Sequence, residues 1–191
     1  MQAIDDAVLL WFARLGQTVP GLETVARAAT ELGGYLFLVP LSVVAAVWLY
    51  FGGHARRAVA LLLVIFGGRL VVEIAKKIMD RPRPALLAHQ VEVHSLSFPS
   101  GHAGNSMIVF LTFALIIGPL VTRRRWPLVC ALACTLLIGL SRPILAVHWL
   151  TDVVAGWSLG LAWTLSVVRL LDGWMKGQPI KRTGHPEHFS G

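Results

Sequence analysis

Charge is what this sequence has least of. Only 14% of its 191 residues are Asp, Glu, Lys or Arg, against 55% hydrophobic residues, whereas about a quarter of the residues of a soluble domain are charged. That deficit makes a membrane protein the first hypothesis. Acidic residues are the scarcer sign, 10 against 17 basic, for a net charge of +7. Nucleic acid is not the expected partner, because no soluble basic stretch exists to bind it, and polytopic membrane proteins carry Lys and Arg for topology and for anionic head groups. Cysteine is confined to Cys130 and Cys134, whose spacing on one helix does not suit a disulfide; they read as small packing residues. The basic start and continuous apolar centre of a signal peptide are missing, so the chain is expected to be mature as written. Tandem repeats are missing too.

What is present is long apolar runs. A hydrocarbon core about 30 Å thick needs about 20 mostly apolar residues per helical span. Five runs approach that length, at 35–51, 58–75, 103–121, 127–140 and 153–171, the fourth being short unless it extends to residue 147. They lack the alternation of barrel strands and are rich in Leu, Val, Ala and Ile, so the expected fold class is all-α, a polytopic transmembrane helix bundle. Trp48, Tyr50, Trp126, Trp149 and Trp174 lie near the run ends as interfacial aromatics would, while Trp157 and Trp163 read as packing or lipid-facing residues. Residues 1–33 differ: Ile4, Val8, Trp11, Phe12, Leu15 and Val19 form an apolar stripe interrupted by charges, the pattern of an amphipathic helix on the membrane surface or against the bundle. The expected organisation is an amphipathic segment 1–33, a membrane domain 34–174 and a loosely ordered polar tail 175–191.

Five spans place the loop 54–57, the Arg123, Arg124, Arg125 triplet and the tail on one side, with eight basic residues. The other side carries seven, of which Lys76, Arg83 and Arg142 belong to the constellation below; setting them aside leaves eight against four. The longer loops are therefore expected to face outward.

Those outward loops concentrate the reactive residues. The first begins AKKIMDRPRP, giving Lys76 and, after six intervening residues, Arg83 and Pro84; then comes PSGH, with Ser100, Gly101 and His102, directly before an apolar run. The second loop reads SRPILAVHWLTD and holds Arg142, His148 and Asp152. Three cations with few acidic neighbours suit a dianion such as phosphate, Arg supplying paired donors and Lys a point charge. Ser100 adds a hydroxyl, Gly101 lets backbone approach, and the start of the next helix directs its amides at an anion. His148 and Asp152 are four apart, so a helix beginning near His148 puts them on one face, where the carboxylate fixes the tautomer and leaves the other ring nitrogen as a nucleophile. His102 remains for proton transfer to the leaving oxygen. Together these parts make a phosphoryl-transfer site.

The three stretches resemble the type 2 phosphatidic acid phosphatase (PAP2) superfamily, whose pattern is Lys, six residues, Arg-Pro; Pro-Ser-Gly-His; and Ser-Arg, five residues, His, three residues, Asp. Here it stands complete as Lys76 to Arg83-Pro84, Pro99 to His102, and Ser141-Arg142 through His148 to Asp152. The resemblance implies that His148 is the nucleophile forming a phosphohistidine, that Asp152 orients it, and that His102 is the acid for the leaving group and then the base for water. It implies a phosphate pocket of Lys76, Arg83, Ser100, Gly101, His102 and Arg142, with no metal and no cofactor. The implied enzyme is a compact bacterial member of the cytoplasmic (inner) membrane acting on a lipid phosphate. Among undecaprenyl diphosphate, phosphatidylglycerol phosphate, phosphatidic acid and lipid A phosphates, the outward-facing site ranks the first highest. A lipid phosphotransferase with the same intermediate is the alternative, and a non-catalytic lipid-binding or transport protein a poorer one.

Other features carry blander expectations. Arg69 and Glu73, one turn apart near Lys76, read as a structural ion pair, or as a device in which Glu73 positions Lys76. Gly156 and Gly160 form a small-residue stripe for close helix packing. His89 and His94 precede PSGH and receive no role. A zinc site from His94, His102, His148 and Asp152 is disfavoured by the three nearby cations and by spacing that lacks a zinc signature.

Overall fold

Apolar runs in a bilayer must satisfy their backbone groups internally, and helices do so. A computed structural model describes residues 2–88, 90–91 and 95–177 and is helical with no strand among them. The order is α1 (Gln2–Thr18), α2 (Leu22–Glu31), α3 (Tyr35–Phe51), α4 (Ala55–Met79), α5 (Gly101–Thr112), a π-helical turn (Phe113–Ile117), α6 (Gly118–Val121), α7 (Trp126–Ile144) and α8 (Leu150–Met175). Four helices are long and apolar enough to cross a membrane: α4, the continuous α5–α6 unit, α7 and α8. The short α3 reaches that standard only together with α2, across a 48° bend, and the pair counts as a fifth span if it crosses as one broken helix. Residues 178–191, with most of the polar tail, and His89 and His94 lie outside the described residues.

The first 33 residues are not one amphipathic helix. Gly21 takes a left-handed φ of 82° and separates α1 from α2. The face that α1 packs inward is Asp5, Leu9, Ala13 and Gly16, while Ile4 and Trp11, from the apolar stripe, stay exposed. Outward apolar residues above a polar inner anchor are what an interfacial helix requires.

The long helices extend further than the apolar runs suggested. Helix α4 continues to Met79, so Lys76 sits in its last turn instead of opening a loop. Helix α7 reaches Ile144 and carries Ser141 and Arg142 in its final turn, ended by Pro143 and by Ala146 at φ 59°. At the other end of the bundle the Arg124 and Arg125 backbones bridge α6 and α7, and Arg57 donates to the Ile116 carbonyl.

The most enclosed span is α5–α6, with half of its apolar window buried against 22% for α8. It meets α8 through glycine. A Cβ on Gly156 would lie 2.6 Å from the Ser100 carbonyl oxygen, and one on Gly160 would lie 2.7 Å from that of Gly104. Those atoms are backbone and have no rotamer to yield. The Gly stripe thus serves packing within the bundle, as its spacing suggested, and brings PSGH against the first turns of α8. Gly156→Ala is expected to cost about 1–3 kcal/mol of stability by overpacking and to depress activity, checked by thermal unfolding of the purified protein alongside phosphate release. Trp163, against Gly67 and Gly68, and Trp157, against Gly139, fill the corresponding interhelical gaps; each indole N–H donates to a backbone carbonyl, of Val64 and Thr135. Trp149 departs from its expected place at the membrane interface and is buried at the site. Cys130 and Cys134 are free.

Candidate active site

At the end of the bundle where α4, α7 and the α2–α3 elbow meet the starts of α5 and α8, the helices enclose a cavity of about 370 Å³. Its walls include Lys76, Arg83, Gly101, His102, Arg142 and His148, six of the eight residues assigned from sequence. The other two, Ser100 and Asp152, are fully buried directly behind it.

His148 lies in the short loop between α7 and α8, 1% exposed. The α8 helix begins at Leu150, two residues after His148, yet the expected pairing forms, because Asp152 is the third residue of the helix and its carboxylate turns back to cap it. Asp152 Oδ2 accepts from the Trp149 backbone N–H at 3.2 Å and lies 3.3 Å from His148 Nδ1. Ser97 completes the arrangement, its hydroxyl donating to Asp152 Oδ2 at 2.5 Å and standing 3.2 Å from His148 Nδ1. With Nδ1 protonated toward the carboxylate, Nε2 carries the lone pair and faces the cavity. Arg83 Nη1 donates to it at 3.0 Å. Burial, reinforced by Arg83, Arg142 and Lys76, holds the His148 pKa well below the usual imidazole value, so the ring is neutral at physiological pH, the state a nitrogen nucleophile needs.

The cations are fixed by backbone and leave donors for an anion. Arg83 donates through Nε to the Ser95 carbonyl at 2.6 Å and through Nη1 to that of Val147 at 2.8 Å. Desolvation lowers its pKa to about 10, still charged at neutral pH. Lys76 Nζ donates to the Leu96 carbonyl at 2.8 Å. Gly101 stands against the lysine stem: a Cβ there would lie 3.3 Å from Lys76 Cε. Arg142 Nη1 donates to Thr30 Oγ1 of α2, while its Nε is buried without a partner, as is the Ser100 hydroxyl oxygen. Unpaired buried donors cost about 1–3 kcal/mol each, and of the two residues Arg142 lines the cavity, where its guanidinium is a candidate donor to an anion. The N-terminus of α5 points into the same cavity with His102 in its first turn.

Several members of the site were not assigned from sequence. Arg81, two residues before the motif arginine, donates to Asp152 Oδ1 at 2.7 Å and to Asp5 Oδ2 of α1 at 2.9 Å, with its guanidinium 4.0 Å above the Trp149 ring. Asp5 also accepts from Thr151 Oγ1 at 2.8 Å, and Asp6 from Trp149 Nε1 at 2.8 Å. The N-terminal helix is therefore tied to the carboxylate that faces His148. The available signal was an acidic pair within an otherwise apolar helix face and a second Arg-Pro beside the first. Ser97 had none beyond its nearness to PSGH. The expected Arg69–Glu73 ion pair is not formed; both residues line the cavity separately. Among the described residues no group of three His, Cys, Asp or Glu is arranged to hold a metal ion; His94 of the weighed zinc set lies outside them.

Comparison with known proteins agrees with this chemistry. Residues 57–176 match the PAP2 superfamily. Phosphatidylglycerophosphatase B of Bacillus subtilis (strain 168) is 33% identical over 167 residues, covering 84% of this chain and 80% of that protein. The undecaprenyl-diphosphatase of Sulfolobus acidocaldarius is 28% identical over 122 residues, 61% of this chain and 56% of the other. The crystal structure of a transmembrane PAP2-type phosphatidylglycerolphosphate phosphatase from Bacillus subtilis superposes with a TM-score of 0.78 at 30% identity, covering 96% of this chain and 89% of that one. With a family match over most of its length and a cation-lined histidine cavity at one end of a transmembrane bundle, this chain belongs to the PAP2 superfamily and is a membrane lipid phosphatase.

Proposed function

We propose that the chain hydrolyses the terminal phosphate monoester of phosphatidylglycerol phosphate through a phosphohistidine on His148. The observation that carries the mechanism is a buried imidazole whose Nδ1 faces Asp152 and whose Nε2 faces a cavity with three cations. Substrate phosphate takes the donors of Lys76, Arg83 and Arg142 together with the α5 amides, and Arg83 then shifts its Nη1 hydrogen bond from the nucleophile to a phosphate oxygen. Nε2 attacks phosphorus, and the bond to the ester oxygen breaks as His102, which takes up a proton when the phosphate anion binds beside it, passes that proton to the leaving oxygen. His102, now neutral, takes a proton from water, whose oxygen attacks phosphorus and breaks the P–N bond, releasing phosphate and free His148. The pocket dianion is stabilised throughout by fixed cations and dipoles, so the chain's own residues account for each proton and bond.

The substrate ranking differs from the one the sequence suggested. An outward-facing site alone put undecaprenyl diphosphate first, whereas similarity to the phosphatidylglycerophosphatase extends over 80% of that relative and similarity to the undecaprenyl-diphosphatase over 56% of its own. The longer match supports phosphatidylglycerol phosphate. The basic end of the bundle, with the Arg123, Arg124, Arg125 triplet, supports a cytoplasmic assignment for that end and an outward-facing site in a bacterial cytoplasmic membrane. Phosphate release by purified protein from a panel of phosphatidylglycerol phosphate, phosphatidate, undecaprenyl diphosphate and a lipid A phosphate, with and without chelator, tests the reading. The expected order places phosphatidylglycerol phosphate first and is insensitive to chelation; a clear preference for another lipid contradicts the substrate, and loss of activity restored by a divalent metal contradicts the mechanism.

A further inference from the structure

The cavity does not end at the three motif cations. Seven residues before Lys76, on nearly the same face of α4, Arg69 lines it as well. Two helical turns, about 10 Å along the axis, separate their Cα atoms. Among the described residues Arg69 makes no hydrogen bond and no ion pair; its contact is with the Tyr35 ring, 5.7 Å from the guanidinium carbon. A guanidinium in a helix apolar enough to span the bilayer is costly, and such residues mark ligand paths. Beside it Asn105 carries a side-chain oxygen that is buried without a partner.

Arg69 and Asn105 also belong to a second, narrower crevice whose remaining walls are apolar and include Leu38, Val39, Ile65 and Phe66. They stand where a polar cradle passes into a greasy cleft between α3, α4 and α5. A lipid with its terminal phosphate against His148 meets this junction where its head group follows the α4 wall of the cavity. An unpaired guanidinium there matches an anion, while the Asn105 amide can donate through its NH2 to a phosphate oxygen and accept a linker hydroxyl at its oxygen.

We propose that Arg69, with Asn105, forms a subsite for a second phosphate on the same lipid, the one nearer the chains, so that the enzyme favours lipids with two phosphates over lipids with one. The subsite rests on the phosphatase reading above and deepens it. Arg69 and Lys76 line the same cavity, so two phosphates joined by a glycerol linker can meet both cations at once. Glu73, one turn from Arg69 and in the same cavity wall, leaves the guanidinium unpaired and available.

The test compares phosphatidylglycerol phosphate with phosphatidate of the same acyl composition in one detergent, for the purified wild-type chain, Arg69→Gln and Arg69→Lys. The quantity read is the ratio of the two kcat/KM values. Arg69→Gln is expected to lower this ratio by about 10-fold or more, the scale of one charge-assisted hydrogen bond, and Arg69→Lys to restore part of it. A ratio unchanged in Arg69→Gln, whether both activities fall together or neither does, overturns the subsite while leaving the phosphatase reading intact. A wild-type chain that releases no phosphate from either lipid overturns both.

Discussion

His148→Ala is expected to abolish phosphate release, with kcat reduced by about 10³-fold or more while the protein remains folded and still binds inorganic phosphate. The size follows from the role: removing the nucleophile leaves only binding and electrostatic stabilisation, which support a small residual rate. Retention of phosphate binding follows from geometry, because Lys76, Arg83 and Arg142 are anchored to the Leu96, Ser95 and Val147 carbonyls and to Thr30, and not by the imidazole alone. The measurement is phosphate release together with thermal stabilisation by added phosphate. Loss of both would assign His148 to the structure of the cavity instead of the chemistry.

The second large effect is expected at Asp152. Asp152→Asn keeps the shape but removes the charge that holds Nδ1 protonated, and where a carboxylate fixes a catalytic imidazole the equivalent change costs about 10⁴-fold in kcat. Here the carboxylate also caps α8 and receives Arg81, so the substitution leaves Asp5 as the one carboxylate paired with Arg81 among the described residues. Arg81 is a positioning residue by this geometry: it touches Asp152, Asp5 and the Trp149 ring but does not line the cavity. Arg81→Ala is therefore expected to lower kcat by about 10²-fold, the cost of a small misplacement, with KM little changed, and Arg81→Lys to recover part of it. Because truncating one partner of a part-buried ion pair also destabilises by about 3–5 kcal/mol, thermal unfolding must be followed in parallel. A fall confined to stability, with kcat per folded molecule unchanged, would reduce Arg81 to a clamp for α1.

Much of the site was legible because its chemistry is written in local spacing. Lys76, Arg83, Ser100, Gly101, His102, Arg142, His148 and Asp152 all converge on one cavity or its rear wall. The spans were legible for the same reason, as runs of apolar residues reveal themselves without knowledge of partners. Contacts between distant segments were not. Nothing near Arg81 in sequence indicates that Asp5, 76 residues earlier, completes its ion pair, and nothing near Arg142 points to Thr30 on α2. The amphipathic stripe of α1 misled in an instructive way. Ile4 and Trp11 of that stripe face outward while Val8, Phe12 and Leu15 are only half-buried, and the inward face is instead Asp5, Leu9, Ala13 and Gly16, with Asp5 and Asp6 bonded to partners across the bundle. In a membrane, hydrophobicity marks what meets lipid at least as often as what meets protein, so the inward face must be read from small and polar residues. Trp149 illustrates the same point: its place at a span end suggested the interface, and its burial beneath Arg81 reflects a cation–π contact that spacing alone does not reveal.

The central claim is a covalent bond between substrate phosphorus and His148, and it can be observed directly. Purified protein mixed with phosphate-labelled phosphatidylglycerol phosphate, quenched within a turnover into alkali where phosphoramidates persist, and digested for mass spectrometry should yield a phosphorylated peptide containing His148. The label should appear before free phosphate, vanish on a chase with unlabelled lipid, and be missing from His148→Ala. Phosphate release with normal turnover and no label on His148, or label on another residue, would contradict the account.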